Sequence, residues 1–268
     1  MTQTSPISLA SGVLPEFPPD VLARAAASAG FDAAGIWIEP STWTDVTTKS
    51  VLEALDGAIP VLDAEVIWLK AGEDNPDHLR ILDIALALGA ANVLVVSSDP
   101  HPAATTAKFR RLCEHVEGTN LRVALEFGLF TEVRTLKDAL AIIDAAAHRS
   151  ASLLIDPLHL SRSGGTVADV SRVAPRLLSY AQFCDAPLQM PRLDDVQAVI
   201  HEAVDLRLLP GEGALPLPAL LDTLPTGIPL SIELRSKALR DSYPDPIERA
   251  RALAKATRSF LAARKPHH

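Results

Sequence analysis

The segment LRVALEFG at residues 121–128 is a short apolar run that ends near a single carboxylate, Glu126. The same pattern returns further along the chain, as ASLLIDP at 151–157, LSYAQFCD at 178–185 and PLSIELR at 229–235. Each run has the length of a buried parallel strand, and each carries a polar residue near its end, namely Glu126, Asp156, Gln182 or Glu233. Burying a polar group without a partner is costly, so these strand ends predict a shared ligand.

Strand and helix patterns alternate along the whole chain. Strands are predicted at 6–13, 34–39, 61–69, 92–97, 121–127, 151–156, 178–184 and 229–234. Helices are predicted at about 19–29, 48–57, 76–89, 102–117, 134–147, 166–174, 193–207, 216–224 and 245–263. Asp45 or Thr48 is expected to cap the second helix and Asp194 the seventh, while Gly30 and Gly89 are expected to end the first and third.

This alternation predicts an α/β fold, a single (β/α)8 TIM barrel. We expect one domain over residues 1–268, with short flexible tails at about 1–5 and 264–268. A doubly wound open sheet is the alternative, but no G-x-G-x-x-G turn follows the first predicted strand.

Alternation along the strands predicts where the four polar residues point. Residues two apart in a strand share a face. The inward set is therefore Ala124 with Glu126, Leu154 with Asp156, Tyr180 with Gln182, and Ser231 with Glu233. The helix-facing set is apolar throughout: Val123, Leu125, Leu153, Ile155, Ala181, Phe183, Ile232 and Leu234. Because functional groups of such barrels lie at the carboxyl ends of the strands, all four polar residues are expected in one cup.

Three carboxylates and one amide are hard oxygen donors, which favour Mg²⁺ or Mn²⁺. We expect Glu126, Asp156, Gln182 and Glu233 to bind one such ion and to leave coordination positions open for a chelating hydroxy-ketone. A neighbouring carboxylate or imidazole would then take a proton from the carbon beside the carbonyl. The alternative is a set of structural carboxylates paired with arginines.

Other side chains are candidates for catalysis or for substrate binding. His159 follows the sixth predicted strand and is either a base, a substrate donor, a support for the metal ligands or a solvent-facing loop residue. Arg207 precedes a PGEG turn and Arg162 precedes SGG, so either could grip a substrate oxygen, as could Arg235 after Glu233, unless they face solvent. Trp37 and Trp68 end the second and third strands and either wall the pocket or simply pack. The context of Glu65, in the middle of the third strand, does not decide its role.

Composition argues against several classes of protein. There are 33 acidic and 25 basic residues, giving a net charge of -8, so a nucleic-acid partner is not expected. No apolar run is long enough to span a membrane, and the start MTQTSPISLA is unlike a secretory signal. The spacing of Cys113 and Cys184 fits no metal or redox motif, and two reduced, buried thiols are expected. These features predict a cytoplasmic protein without a membrane partner.

Several short motifs in order resemble the xylose isomerase-like TIM-barrel superfamily, of the sugar phosphate isomerase/epimerase type. They are GFDAAGIWI at 30–38, Glu126 in ALEF, Asp156 and His159 in D-x-x-H, Gln182 in AQFCD, Arg207 in RLLPGEG, and Glu233 in SIEL. The resemblance to its ketose 3-epimerases implies that Glu126, Asp156 and Glu233 hold Mn²⁺, Mg²⁺ or Co²⁺. It also implies that the two glutamates move the substrate proton, and that His159 and Arg207 contact substrate. The family's usual fourth ligand is a histidine where this chain has Gln182, and some 3-dehydroshikimate dehydratases resemble this chain in having glutamine there.

The first functional expectation is a divalent-metal-dependent isomerase or epimerase of a sugar-like or cyclitol-like hydroxy-ketone. It would work through a metal-stabilised enediolate, with Glu126 and Glu233 as acid and base. A metal-dependent lyase that dehydrates a cyclic hydroxy-ketone, similar to a 3-dehydroshikimate dehydratase with His159 as the base, is the alternative. A non-catalytic ligand-binding barrel is the second alternative. The DNA-repair branch of the superfamily needs further histidines at the strand ends, which this chain lacks. Related barrels often pair, so a homodimer is also considered.

Overall fold

A computed structural model describes residues 5–263 of the chain. Within this range the strands are β1 (Ile7–Leu9), β2 (Ala33–Trp37), β3 (Val61–Leu69), β4 (Asn92–Ser97), β5 (Arg122–Leu125), β6 (Ala151–Leu153), β7 (Ala181–Gln182) and β8 (Leu230–Ile232). The α-helices are α1 (Pro19–Ala29), α2 (Asp45–Leu55), α3 (Asp77–Ala87), α4 (Pro102–His115), α5 (Leu136–Ala146), α6 (Pro157–Arg162), α7 (Val167–Val170), α8 (Val196–Asp205), α9 (Leu217–Thr223), α10 (Lys237–Ser242) and α11 (Pro246–Ala263). The tails predicted at about 1–5 and 264–268 lie outside the described residues, except for residue 5.

The eight strands form one parallel sheet in the order β6-β5-β4-β3-β2-β1-β8-β7. A parallel bridge between Ile155, just after β6, and Ala181 in β7 joins the two ends of this order. The sheet therefore closes on itself, and the predicted (β/α)8 TIM barrel is confirmed. None of the helices within residues 5–263 is both long and apolar enough to cross a bilayer.

Two separate groups of buried side chains confirm the predicted alternation. The larger group packs between sheet and helices and contains all eight residues predicted to face the helices. The smaller group fills the barrel and consists of Ala33, Leu62, Leu94, Val96, Ala124, Leu154 and Tyr180. Because Ala124, Leu154 and Tyr180 lie inside, the residues two positions further on, Glu126, Asp156 and Gln182, turn towards the same end of the barrel.

Several of the helices begin at side-chain caps, and two of the predicted caps were wrong by one or more residues. Thr44, not Asp45 or Thr48, begins α2, because its hydroxyl accepts from the backbone of Thr47 in a capping box. Asp195, not Asp194, begins α8 by accepting from the backbone of Ala198. Gly30 ends α1 with a positive φ of 78°, as predicted, and Gly89 has a positive φ of 67° just after α3.

Six of the eight strands end earlier than predicted, whereas β3 and β4 have the predicted bounds. The first, for example, ends at Leu9, and Ser11–Val13 form a 3-10 turn instead. Two short helices, α6 and α10, were not predicted from the sequence. Helix α6 directly follows the strand-end residue Asp156, and α10 begins four residues after Glu233.

Candidate active site

A cavity of about 370 Å³ opens at the carboxyl end of the barrel. It is lined by Glu65, Glu126, His159, Gln182, Arg207, Glu233 and Arg235, and by the apolar side chains Trp37, Val66, Trp68, Leu94, Val96, Phe130, Ile200, Ala203 and Val204. The polar groups are mostly buried, whereas Trp37 and Trp68 remain partly exposed. The cavity thus combines charged groups with hydrophobic walls.

Glu126 and Gln182 carry buried polar atoms that lack partners. The backbone N–H of Glu126 donates to the Val95 carbonyl at 2.9 Å, which fixes Glu126 just beyond β5. Within residues 5–263, neither Oε1 of Glu126 nor either amide atom of Gln182 has a hydrogen-bond partner. Gln182 is only 1% exposed, so this arrangement is costly unless a ligand supplies the missing contacts.

Asp156 is held at both carboxylate oxygens. Its Oδ1 accepts from the backbone N–H groups of Leu158 at 2.7 Å and His159 at 3.1 Å, which makes Asp156 the N-cap of α6. Its Oδ2 accepts from Nη1 of Arg207 at 2.5 Å. Burial works to raise the pKa of Asp156, but the charge of Arg207 outweighs it and holds that pKa below its ordinary value.

Glu233 lies between two arginines. Its Oε2 is 3.5 Å from Nη2 of Arg207, and its Oε1 accepts from Nε of Arg235 at 2.8 Å. Burial opposes ionisation, but the positive charges of Arg207 and Arg235 keep the pKa of Glu233 below its ordinary value. Glu233 is therefore an ionised carboxylate despite its burial.

Glu126 differs from these two carboxylates in its electrostatic setting. Burial, together with the negative charges of Glu233 and Asp156, raises the pKa of Glu126 well above its ordinary value. A bound cation would offset both effects and favour the ionised form of Glu126.

His159 lies on α6 within the same cup. Its ring packs edge-on against Phe130 with ring centres 5.1 Å apart, and its Nε2 is 3.4 Å from Nη2 of Arg207. Burial lowers the pKa of His159, so the imidazole is neutral near pH 7. Glu126, Asp156 and His159 also offer ligand atoms that lie within 4.8 Å of one another, so His159, assigned to catalysis from the sequence, stands close enough to share a metal ion.

The structure brings most of the predicted site residues together. Glu126, Gln182, Glu233, His159, Arg207, Trp37 and Trp68 all line the cavity, and Asp156 contacts Arg207 and His159 beneath it. Phe130, which was not predicted, follows β5 and packs on both His159 and Trp68. The sequence did contain a signal for this residue, namely an aromatic side chain just after a predicted barrel strand.

Arg162 was predicted to bind substrate, but it does not line the cavity. Its Nε and Nη2 form a bidentate pair with the carboxylate of Glu202 on α8, with distances of 2.9 and 2.6 Å, and Nη2 also donates to the Pro187 carbonyl at 2.9 Å. Both charged side chains are buried. The SGG sequence after Arg162 suggested a flexible loop, but α6 instead turns this arginine towards α8.

The donor set fits a divalent cation. Glu126, Asp156 and His159 offer ligand atoms close enough to share one ion, and the unpartnered oxygens of Glu126 and Gln182 and the ionised Glu233 lie at the same end of the barrel within residues 5–263. Cys113 and Cys184, by contrast, are free, buried thiols, as predicted, and burial raises the pKa of Cys113 to about 12.

Comparisons with known proteins agree with this architecture. A family model described as a xylose isomerase-like TIM barrel matches residues 23–262. A search of curated proteins found no match. Among solved structures, the IOLI protein with a bound zinc atom is 17% identical with a TM-score of 0.80, and the match covers 98% of this chain and 100% of that chain.

Three other similar structures carry the names of enzymes. The probable 3-DHS dehydratase AsbF of Bacillus anthracis is 15% identical with a TM-score of 0.74, covering 99% of this chain and 100% of that one. The D-psicose 3-epimerase of Clostridium cellulolyticum H10, solved with D-tagatose, is 12% identical with a TM-score of 0.68, covering 96% and 99%. The third is a xylose isomerase-like TIM barrel/4-hydroxyphenylpyruvate dioxygenase fusion protein, which is 18% identical with a TM-score of 0.77. The match covers 97% of this chain but only 44% of the fusion protein. At these identities the likeness establishes the fold.

Proposed function

Because this chain belongs to the xylose isomerase-like TIM-barrel family, we propose that it is a divalent-metal-dependent isomerase or epimerase of a small sugar-like or cyclitol-like hydroxy-ketone. The observation that carries this proposal is the set of unpartnered, buried oxygens on Glu126 and Gln182 beside ionised Asp156 and Glu233. These four residues would hold Mn²⁺ or Mg²⁺, with Co²⁺ as a further candidate. When bound, such an ion polarises the substrate carbonyl and stabilises the negative charge of an enediolate.

The protein residues then divide the proton transfer between them. Glu233 is kept ionised by Arg207 and Arg235, which suits it to remove the proton from the carbon beside the carbonyl. Glu126 would take up a proton from solvent and pass it to that carbon, and Glu233 would release its proton to solvent, so that both carboxylates return to their starting state. Arg207 has a second task, because its contacts with Asp156 and His159 fix the relative positions of the groups in the cup.

A lyase is the second candidate, and the surroundings of His159 favour it. The imidazole is buried against Phe130, and its lowered pKa leaves it neutral and able to accept a proton directly. A structural neighbour is described as a probable 3-DHS dehydratase. In this alternative His159 would remove the proton and pass it to the leaving hydroxyl group, which departs as water, and a conjugated product would absorb in the ultraviolet.

Solvent deuterium uptake by a panel of hydroxy-ketones tests the proposal. Removing metal with a chelator should abolish uptake at the carbon beside the carbonyl, and Mn²⁺ or Mg²⁺ should restore it. Glu126→Gln and Glu233→Gln should each slow the exchange by about 10²- to 10⁴-fold, the usual contribution of a positioned acid or base. An ultraviolet-absorbing product that is lost in His159→Gln would instead support the lyase.

Two results would contradict a metal-dependent enzyme. One is exchange that continues unchanged after exhaustive chelation. The other is a purified protein that retains no divalent metal and whose Glu233→Gln variant binds every tested ligand as the wild type does, which would favour the non-catalytic barrel.

A further inference from the structure

The side walls of the cavity are apolar. They are formed by side chains from β2, β3, β4 and α8 and by Phe130, which follows β5. Apart from Trp37 and Trp68, these side chains carry only C–H groups. Trp68 already donates its indole N–H to Oγ of Ser98 at 2.9 Å, so its side chain has no donor left for a ligand. A bound molecule therefore meets mostly carbon along the walls.

One wall is aromatic and reaches from the mouth of the cavity to its polar floor. The ring of Trp68 is partly exposed at the mouth. Its centre lies 6.3 Å from that of Phe130, whose ring centre lies in turn 5.1 Å from that of His159. These three rings form a continuous surface beside the reacting groups, and aromatic surfaces gain most when they cover apolar groups.

A second wall is the face of α8 that turns towards the cavity. Ile200 and Val204 lie four residues apart on this helix, so they share one face, and both line the cavity together with Ala203. The Ala203 carbonyl accepts from Nε of Arg207 at 2.8 Å, which joins this wall to the polar floor. The aliphatic wall thus also extends from the floor to the mouth, where Val204 is 37% exposed.

The polar groups of the floor are largely engaged with one another. Arg207 is paired with Asp156 and Glu233, and Glu233 is paired with Arg235 as well. The remaining proposed metal ligands would face the ion. A substrate with many hydroxyl groups would therefore bury some of them without partners, and each such group would weaken binding by about fivefold or more. Each buried CH₂ group would instead strengthen binding by about fourfold.

We propose that the substrate is a hydroxy-ketone whose remaining carbons form a compact apolar group, such as a carbocyclic ring with few further hydroxyl groups. Its carbonyl and neighbouring hydroxyl would lie at the floor over Glu126 and Glu233, and its apolar carbons between the aromatic wall and α8. A cavity of about 370 Å³ has room for a molecule of this size. This inference rests on the proposed function and narrows its substrates to the members that carry few hydroxyl groups.

Calorimetry with three hydroxy-ketones tests the inference, because all three contain the same carbonyl with a hydroxyl beside it. Hydroxyacetone is little more than this unit. In 2-hydroxycyclohexanone the unit is part of a ring of CH₂ groups, and in 2,3,4,5,6-pentahydroxycyclohexanone every other carbon of the same ring carries a hydroxyl. The wild type should bind 2-hydroxycyclohexanone at least about tenfold more tightly than either of the other two.

The double variant Val66→Thr, Val204→Thr places a hydroxyl group on two walls with little change in shape. Both valines line the cavity and neither is fully buried, so the fold should tolerate the change. We expect it to weaken the binding of 2-hydroxycyclohexanone by about fivefold or more and to leave hydroxyacetone unaffected, which would show an intact floor. Val46→Thr makes the same change at a position of α2 that is 74% exposed, and should bind all three probes as the wild type does.

Two outcomes would overturn the inference. One is wild-type protein that binds the pentahydroxy ring as tightly as 2-hydroxycyclohexanone, or more tightly. The other is an unchanged preference in the double variant. Titrations with and without Mg²⁺ separate this inference from the proposed function. Mg²⁺ should tighten the binding of all three probes, since they share the chelating unit, and a lack of this effect would contradict the metal site, whereas the preference for the apolar ring is measured in the chelator-treated protein as well.

Discussion

Gln182 contributes a neutral amide to a cup whose other strand-end residues are carboxylates. Its side chain is buried, and both of its amide atoms lack partners within residues 5–263. An amide oxygen is a harder donor than an imidazole nitrogen, so we expect the cup to prefer Mg²⁺ or Mn²⁺ to Zn²⁺. Because the amide is neutral, the negative charge of the proposed ligands comes only from Glu126, Asp156 and Glu233.

Gln182→His should therefore shift the metal preference towards zinc. We expect the ratio of Zn²⁺ to Mn²⁺ affinity to rise by about tenfold or more, a size of effect known even for changes outside the ligand shell. Competition with a chromophoric chelator measures both affinities in the substrate-free protein. Gln182→Asn, which keeps the amide but shortens its reach, is the matched control and should weaken both metals. An unchanged ratio in Gln182→His would show that residue 182 is not a ligand.

Among the secondary-structure elements, α6 connects the cup to the outer layer of the barrel. Asp156 caps its first turn and His159 lies within it, while Arg162 at its end pairs with Glu202 on α8. The groups that enter the cup are thus positioned by a helix of 6 residues that is itself anchored by one buried ion pair.

Arg162→Met should destabilise the protein, because it leaves the buried carboxylate of Glu202 without its partner. We expect the free energy of unfolding to fall by roughly 3–5 kcal/mol, as measured by urea denaturation. The double variant Arg162→Met, Glu202→Leu should recover most of this loss, since it removes both charges. A single variant as stable as the wild type would show that the pair does not anchor α6.

The sequence predicts the elements better than it predicts their ends and partners. The alternation of inward and helix-facing residues predicted the barrel strands and the inward direction of Glu126, Asp156 and Gln182. Such a pattern can be read from neighbouring residues alone, because side chains two apart in a strand share a face. Helix α6 is too short to show helical periodicity, although an N-cap aspartate followed by proline, Asp156-Pro157, was a usable signal. The partner of Arg162 lies 40 residues away, and no local pattern reveals such a contact.

On the scale of the whole barrel, its interior is unusually polar beneath the cup. Asp63 and Glu65 both lie on β3 and are buried. Ser231 donates to Oδ1 of Asp63 at 3.3 Å and Ser11 to Oε2 of Glu65 at 2.7 Å, and the two carboxyl groups also hydrogen-bond to each other when one of them is protonated. Tyr180, inside the same barrel, has a hydroxyl group without a partner within residues 5–263. The ionisation of these buried groups contributes to the dependence of the protein's stability on pH.

Burial, together with the negative charge of Glu65, raises the pKa of Asp63 well above its ordinary value of 3.8. The folded state therefore keeps a proton that the unfolded state releases at lower pH, so stability is greatest below the ordinary pKa and falls as pH rises through the folded-state pKa. Asp63→Asn replaces the neutral acid with a neutral amide of similar shape and should flatten this decline. Urea denaturation across a pH series measures it, with Asp45→Asn on the exposed start of α2 as the control for lost charge. If Asp63→Asn declines with pH as steeply as the wild type, Asp63 is ionised in the folded barrel, and a buried counter-charge must then be sought beside it.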